Sequence, residues 1–318
     1  MLTYILFIIG FILLIKGADV LVDGASSIAK KLNIPAIVIG LTIVAFGTSA
    51  PELIVNIFAS ARGNTDIAIG NILGSNIANI LLILGISAVI YPLATKKNTV
   101  WKEIPLSLLA VVILGVMASD ALIDGGAFSG LTRTDGLVLL SFFVIFMYYT
   151  FGIARVRGEA ADTDIRELGR MRSSLYIIGG LAGLAIGGKW IVDGAVKIAE
   201  SFGVSQSLIG LTIVAIGTSL PELATSAVAA YKKQTDIAIG NIVGSNIFNI
   251  FWILGVSSII RPLPFGADSR VDIAMTIVSS LLLFMIMFIG KKHIVEKWQG
   301  ALMIAIYIGY VSYVISVK

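Results

Sequence analysis

Residues 39–93 of the chain return at 209–263 with a constant offset of 170, and 35 of the 55 aligned positions are identical. The helix-like strings GADVLVDGA (Gly17–Ala25) and GGKWIVDGA (Gly187–Ala195) keep the same offset, so the duplicated unit extends upstream of the densest match. Identity peaks in two places. GTSAPE at Gly47–Glu52 returns as GTSLPE at Gly217–Glu222, and GNILGSNIAN at Gly70–Asn79 returns as GNIVGSNIFN at Gly240–Asn249. Any fold open to this chain must therefore hold two copies of one unit and find a use for polar residues set twice inside apolar runs.

The solvent for those copies is a bilayer. Hydrophobic residues make up 57% of the 318 and charged residues only 13%, with a mean hydropathy of +0.98. That balance lies far from a soluble domain and excludes a soluble enzyme. A spanning helix needs about 20 mainly apolar residues. Ten such stretches fall at approximately 2–28, 36–60, 67–90, 103–119, 135–154, 174–199, 206–230, 237–260, 271–290 and 298–316. The expected fold is an all-α membrane protein of ten transmembrane helices in two inverted-topology repeats of five, with broken helices at the midplane. Five crossings per copy is an odd number, so the second copy enters from the opposite side and is related to the first by a pseudo-two-fold axis in the membrane plane. The division is 1–154 for the N-terminal repeat, 155–173 for a cytoplasmic linker and 174–318 for the C-terminal repeat. The linker holds the most charged stretch, Arg155–Arg172, too short for a domain and too polar to span.

Leu2–Leu14 reads as the start of the first span, because no positive charge precedes it and no polar mature sequence follows a small-residue site. The net charge of +4 does not mark a nucleic-acid surface, since the bases are scattered over short loops. Their distribution reports topology. With ten spans, one side holds 15 basic residues, from Lys30 and Lys31 through Arg155 and Lys232 to Lys297. The other side holds only Arg62, Arg133, Arg261, Arg270 and Lys318, while Lys16, Lys189 and Lys197 lie within spans. The positive-inside rule then predicts a multi-pass protein of the cell membrane with both termini outside the cytoplasm. There is no cysteine, which excludes thiolate metal sites, and the single His293 sits in a loop beside Lys291 and Lys292.

Glu52 and Glu222 are the carboxylates nearest the middle of the apolar runs. Thr48 and Ser49 precede Glu52 by four and three residues, and Thr218 and Ser219 precede Glu222 likewise, so helical spacing predicts hydroxyls and carboxylate on one face. Pro51 and Pro221 have no N–H for the carbonyls of Gly47 and Gly217 and should break their helices there. Freed carbonyls at bilayer depth require a protein or hydrated cavity to receive them. Carboxylate, hydroxyl and carbonyl oxygens together form a hard-cation ligand set. The second string places Asn71, Ser75 and Asn79 at i, i+4 and i+8, repeated by Asn241, Ser245 and Asn249. For Asn79, Asn249, Ser75 and Ser245 the ligand reading is preferred. For Asn71, Asn76, Asn241 and Asn246, interhelical packing and capping stand beside it as an equal alternative. Asp19, Asp23, Lys189 and Asp193 lie toward helix ends, where a structural pairing is the favoured reading. Asp66 and Asp236 read as helix N-terminal acids.

The G-T-S-x-P-E and G-N-x-x-G-S-N strings, each present twice at the same separation, resemble those of the calcium/cation antiporter superfamily, particularly its prokaryotic sodium/calcium exchangers. The resemblance covers the whole chain. It implies calcium ligation by Glu52, Glu222, Thr48 and Thr218, the threonines through backbone carbonyls as well as side chains. It implies sodium or shared ligation by Ser49, Ser219, Ser75, Ser245, the carbonyls of Ala45 and Ala215, and the middle-position residues Asn79 and Asn249. Some relatives carry an aspartate where Asn249 stands, so this site holds two carboxylates where theirs holds three, which lowers the expectation of potassium co-transport. The first and sixth spans are implied to slide across the core to switch access.

The function expected is therefore secondary active exchange of calcium for sodium by alternating access. Two ionised glutamates balance one calcium ion, two sodium ions or two protons. A calcium/proton exchanger on the same scaffold is the alternative, and a passive cation channel a more distant one. The transported calcium and sodium and the lipid bilayer are the expected partners, with no cofactor, no nucleic acid and no obligatory protein partner.

Overall fold

The computed structural model describes residues 2–123, 125, 129–155, 167–202 and 215–317. The principal helices are α1 (Leu2–Leu32), α2 (Ala36–Thr48), α3 (Ala50–Arg62), α4 (Thr65–Ile90), α5 (Thr99–Met117), α6 (Arg133–Ala154), α7 (Arg170–Ser201), α8 (Ala215–Thr218), α9 (Leu220–Tyr231), α10 (Thr235–Ile260), α11 (Ala267–Ile286) and α12 (Lys297–Val317). Among the described residues, eight helices are long and apolar enough to cross a membrane, or nine when α2 and α3, bent by 46° at their junction, count as one span. The remaining expected stretch, 206–230, begins in residues outside the described set and is helical from Ala215 onward. The protein is thus an all-helical, multi-pass membrane protein. The helix expected to begin near 174 starts at Arg170, and Leu168 docks through its N–H on Ser27 Oγ at 2.9 Å.

Local chemistry sets the boundaries. Gly63, in the left-handed region at φ 83°, closes α3, and a capping box between Thr132 and Asp135 opens α6. Pro51 and Pro221 fall in the first turn of α3 and α9, where a missing N–H costs nothing. The expected breaks therefore take the form of two short helices meeting at Ser49 (φ −83°, ψ 7°) and Ser219 (φ −88°, ψ 5°).

Helices apolar all round belong in the middle of a bundle. In α10 and α4, 94% and 78% of the apolar window is buried by protein, against 17–39% in the other long helices. These two central helices carry the G-N-x-x-G-S-N strings. Each also contains a π-helical stretch, Asn79–Leu84 in α4 and Phe248–Leu254 in α10, where the wider turn advances the facing side by a residue. Nothing in the apolar periodicity predicts these wide turns.

Outside the centre, α1 and α7 pack along each other through glycines at intervals of seven. Gly10 meets Gly187, Gly17 meets Gly180 and Gly24 meets Ser173. A methyl at Gly180 would lie 2.7 Å from the Gly17 carbonyl oxygen, so the contact admits no side chain. Two short antiparallel ladders tie the loops, Leu93–Ala94 with Ile294–Val295 and Gly130–Leu131 with Leu263–Pro264. Tyr149 donates to Glu103 between α6 and α5, and Tyr310 donates to Asp272 between α12 and α11.

Candidate cation-binding site

The breaks in α2–α3 and α8–α9 face the middle of α4 and α10, and there the polar residues gather. Glu52 and Glu222 are each 1% exposed, and Thr48, Ser49, Ser75, Asn79, Thr218, Ser219, Ser245 and Asn249 are all buried with them. The hydroxyls do not bond the carboxylate of their own string. Ser49 Oγ donates to Glu222 Oε1 at 2.9 Å, and Ser219 Oγ lies 3.3 Å from Glu52 Oε1 and 3.1 Å from Ser75 Oγ. Ser245 Oγ reaches Glu222 Oε1 at 3.5 Å. Each threonine also makes a bond that crosses, Thr48 Oγ1 to Asn241 Oδ1 at 3.0 Å and Thr218 Oγ1 to Asn71 Oδ1 at 3.2 Å.

This corrects the helical-face expectation. The i−4 and i−3 spacing puts Thr48 and Ser49 beside Glu52 only in an unbroken helix. At the turn Ser49 Oγ meets the carboxylate of the opposite copy, and Thr48 Oγ1 is shared between Asn241 of the opposite copy and the Ala45 carbonyl of its own, so each copy contributes to the other's polar shell.

One turn further along the central helices, a second set of amides pairs across the copies. Asn79 Nδ2 donates to Asn246 Oδ1 and Asn249 Nδ2 donates to Asn76 Oδ1, both at 2.9 Å. Asn79 opens one π-helical stretch and Asn249 stands second in the other. Within the two duplicated strings, the buried atoms with no hydrogen-bond partner among the described residues are Glu52 Oε2, Glu222 Oε2, Asn79 Oδ1, Asn249 Oδ1 and Asn76 Nδ2. Four of the five are oxygens. Buried acceptors lacking donors are costly unless something positive meets them, and two carboxylates with amide and hydroxyl oxygens match the preferences of calcium or sodium. Among the described residues no group of three or more His, Cys, Asp or Glu side chains is assembled, so only two formal charges are available to such a cation here.

The backbone candidates divide. The Ala45 carbonyl accepts the Ser49 N–H at 3.0 Å and lies 3.3 Å from Thr48 Oγ1. Ala215 is the first described residue of α8, and the Ser219 N–H turns to the Ile216 carbonyl at 3.1 Å, where its counterpart Ser49 turns to the carbonyl four residues back. The remaining charged candidates lie apart from the cluster. Lys232 Nζ bridges Asp19 and Asp23 at 2.7 and 2.6 Å, and Lys189 pairs with Asp193 on the same helix at 2.9 Å. Asp66 and Asp236 stand in the first turns of α4 and α10. His293 takes a loop conformation with φ 62°.

Two participants escaped the reading of the motifs. Asn56 Oδ1 accepts from Asn71 Nδ2 at 2.7 Å, and Ser226 Oγ accepts from Asn241 Nδ2 at 2.9 Å. Both are fully buried. They are separated by the same offset of 170 without being identical, so a search for matched polarity would have found them where a search for matched identity did not.

A polytopic bundle that buries paired carboxylates and bare amide oxygens where two duplicated halves meet has the construction of a membrane ion transporter. The family described as sodium/calcium exchanger protein matches residues 2–152 and 172–316. The chain is 41% identical over 319 residues to CaxA of Alkalimonas amylolytica, covering 95% of each, and 31% identical over 340 residues to the sodium/calcium exchanger MaX1 of Methanosarcina acetivorans, covering 97% of each. The crystal structure of the sodium-calcium exchanger NCX_Mj soaked with 10 mM Na+ and no Ca2+ superposes with a TM-score of 0.86 at 37% identity, over 98% of both chains. The chain belongs to the sodium/calcium exchanger family, a family of membrane cation transporters and not of enzymes.

Proposed function

We propose that the protein exchanges calcium for sodium across the cell membrane by alternating access. The observation that carries this reading is the set of four bare buried oxygens, two of them carboxylate, at the meeting of the two copies. Glu52, Glu222, Thr48 and Thr218 serve as calcium ligands. Ser49, Ser219, Ser75, Ser245, the carbonyls of Ala45 and Ala215, and Asn79 and Asn249 serve sodium or both ions. With two carboxylates, one calcium or two sodium ions neutralise the cavity, so either occupant leaves little uncompensated charge in a medium of low dielectric. MaX1 and NCX_Mj carry the name sodium/calcium exchanger, which favours sodium over protons as the counter-ion.

The same proposal holds that ten spans are arranged as inverted repeats, 1–154 and 174–318 joined by the linker 155–173, with both termini outside the cytoplasm. Reciprocal contacts support it. The loop after α4 pairs with the loop between α11 and α12, and the loop after α10 pairs with the loop between α5 and α6. Gly85 of α4 packs on Gly300 of α12 just as Gly255 of α10 packs on Gly136 of α6.

The test is calcium uptake into proteoliposomes driven by an outward sodium gradient, then by a pH gradient. Sodium-driven uptake that persists when the pH gradient is collapsed is expected. Uptake driven by the pH gradient alone would replace the sodium reading with proton exchange, and calcium flux needing no counter-ion would replace exchange with a channel.

A further inference from the structure

Of the asparagines in the duplicated strings, Asn71, Asn76, Asn241 and Asn246 have no assigned part in holding ions, yet all four are buried and all four accept a hydrogen bond from a proposed ligand of the opposite copy. Asn71 accepts from Thr218, Asn241 from Thr48, Asn246 from Asn79 and Asn76 from Asn249. The donors are the hydroxyl or amide sides of residues that offer a cation an oxygen.

Such side chains are two-faced. A threonine hydroxyl beside a carboxylate can donate its proton to it, and an asparagine can turn either NH2 or oxygen toward a cavity. A hard cation accepts oxygen only, and an inward NH2 repels it. Something must therefore hold the protons away from the ion. Here that task falls to an acceptor whose own orientation is fixed from behind. Asn71 Nδ2 is held by Asn56 Oδ1 at 2.7 Å, and Asn56 Nδ2 in turn by the Ala68 carbonyl at 3.0 Å. Asn241 Nδ2 is held by Ser226 Oγ at 2.9 Å and lies 3.4 Å from the Glu222 carbonyl. Asn246 Nδ2 lies 3.4 Å from the Asn76 carbonyl. With the NH2 groups of Asn71, Asn241 and Asn246 committed, their Oδ1 atoms face their donors; Asn76 turns its Oδ1 to Asn249 with its own NH2 unpartnered among the described residues. The result is visible on the far side of Asn79 and Asn249, whose Oδ1 atoms are left bare.

We propose that Asn71, Asn76, Asn241 and Asn246 are positioning residues of the ion site: each takes the proton of one ligand from the opposite copy, so that the ligand presents oxygen alone to the ion. This rests on the cation-site reading above and adds to it the residues that set the polarity of its neutral ligands. It also answers whether these asparagines pack helices or bind ions. They do neither directly, and the crossing of all four bonds between copies makes the orientation of each half's ligands depend on the other half.

The experiment is a double-mutant cycle between Asn241 and Thr48 in the full chain. Asn241→Leu removes the acceptor at similar volume, Asn241→Asp keeps an acceptor oxygen while the Ser226 hydroxyl can reverse to donate, and Thr48→Val removes the proton itself. Each is read by the calcium-induced rise in melting temperature of the purified protein and by KM and kcat of sodium-driven uptake. Expected are a KM for calcium raised about tenfold by Asn241→Leu, the loss of roughly one well-placed polar contact, with kcat within about twofold. Asn241→Asp should bind calcium at least as well as the parent, and Asn241→Leu should add nothing in the Thr48→Val background. Effects that multiply in the double variant, or Asn241→Asp as impaired as Asn241→Leu, would overturn the positioning role while leaving the ion site standing. Unchanged calcium binding in Thr48→Val would show that the Thr48 hydroxyl does not hold the ion and overturn this inference, with ligation by the Thr48 carbonyl and the glutamates still standing. The mirrored cycle of Asn71→Leu with Thr218→Val supplies the same outcomes where Asn241→Leu does not fold.

Discussion

Glu222→Gln isolates charge from shape. The amide oxygen can still accept from Ser49 Oγ, now 2.9 Å from Oε1, and from Ser245 Oγ at 3.5 Å. The change falls on Oε2, the buried oxygen without a donor, which becomes an NH2 group. The cavity then holds one carboxylate in place of two, and a bound calcium ion leaves one positive charge uncompensated at a position 1% exposed. Breaking a buried charge pair costs about 3–5 kcal/mol. At about 1.4 kcal/mol per tenfold, calcium affinity should fall by roughly a hundredfold to a few thousandfold. Sodium is monovalent and should keep one well-balanced site. Because two carboxylates no longer share one apolar interior, the ion-free variant should melt no lower than the parent. The assay is calcium titration followed by melting temperature, with sodium-driven uptake of labelled calcium in parallel. A variant whose calcium affinity stays within tenfold of the parent, or which exchanges normally, would refute the charge-balance argument and move the site away from Glu222. Glu52→Gln should behave alike, since its Oε1 likewise meets a serine of the opposite copy and its Oε2 is likewise without a donor.

Three further outcomes follow from packing and pairing. Gly180→Leu should lower stability by about 1–3 kcal/mol in thermal unfolding, because the new Cβ would lie 2.7 Å from the Gly17 carbonyl oxygen and 2.8 Å from the Leu21 nitrogen, backbone atoms that cannot swing aside; an unchanged melting temperature would show that α1 and α7 are not held in this contact. Tyr149→Phe leaves the buried carboxylate of Glu103 without that donor and should cost about 1–3 kcal/mol in chemical unfolding, with calcium uptake per folded molecule unchanged. Lys232→Met removes the bridge to Asp19 and Asp23, whose side chains are 39% and 49% exposed. Partly exposed pairs contribute little, so a loss of about 1 kcal/mol that shrinks as salt is raised is expected in melting curves at low and high ionic strength.

Glu52 and Glu222 stood out in the sequence as candidates because charge in a long apolar run has few uses, and because the duplication presents the same acid, proline and hydroxyls twice; the structure buries both. Pro51 and Pro221 also announced the breaks, since a missing N–H is a covalent fact. The wide turns at Asn79–Leu84 and Phe248–Leu254 were not legible. Apart from Asn79 and Asn249 their residues are ordinary apolar side chains, and only neighbours packed on every side decide whether the backbone takes an extra residue into a turn. Asn56 and Ser226 were missed for a related reason: an isolated polar residue in a span has no stated partner until a second helix is laid against it.

By itself, the chain determines that the fold is a membrane bundle of two like copies, that each copy brings one buried acid on a broken helix, and that two negative charges are all the pair of strings can supply. These follow from composition, offset and covalent chemistry. The tertiary structure alone decides which copy each hydroxyl serves. Ser49 and Ser219 sit at turns, so their side chains leave the face shared with the acid three residues on, and the nearest acceptors lie in the other half. Spacing along one helix has no knowledge of that half. Only when the copies meet do the serines cross, the asparagines orient their donors and the bare oxygens remain.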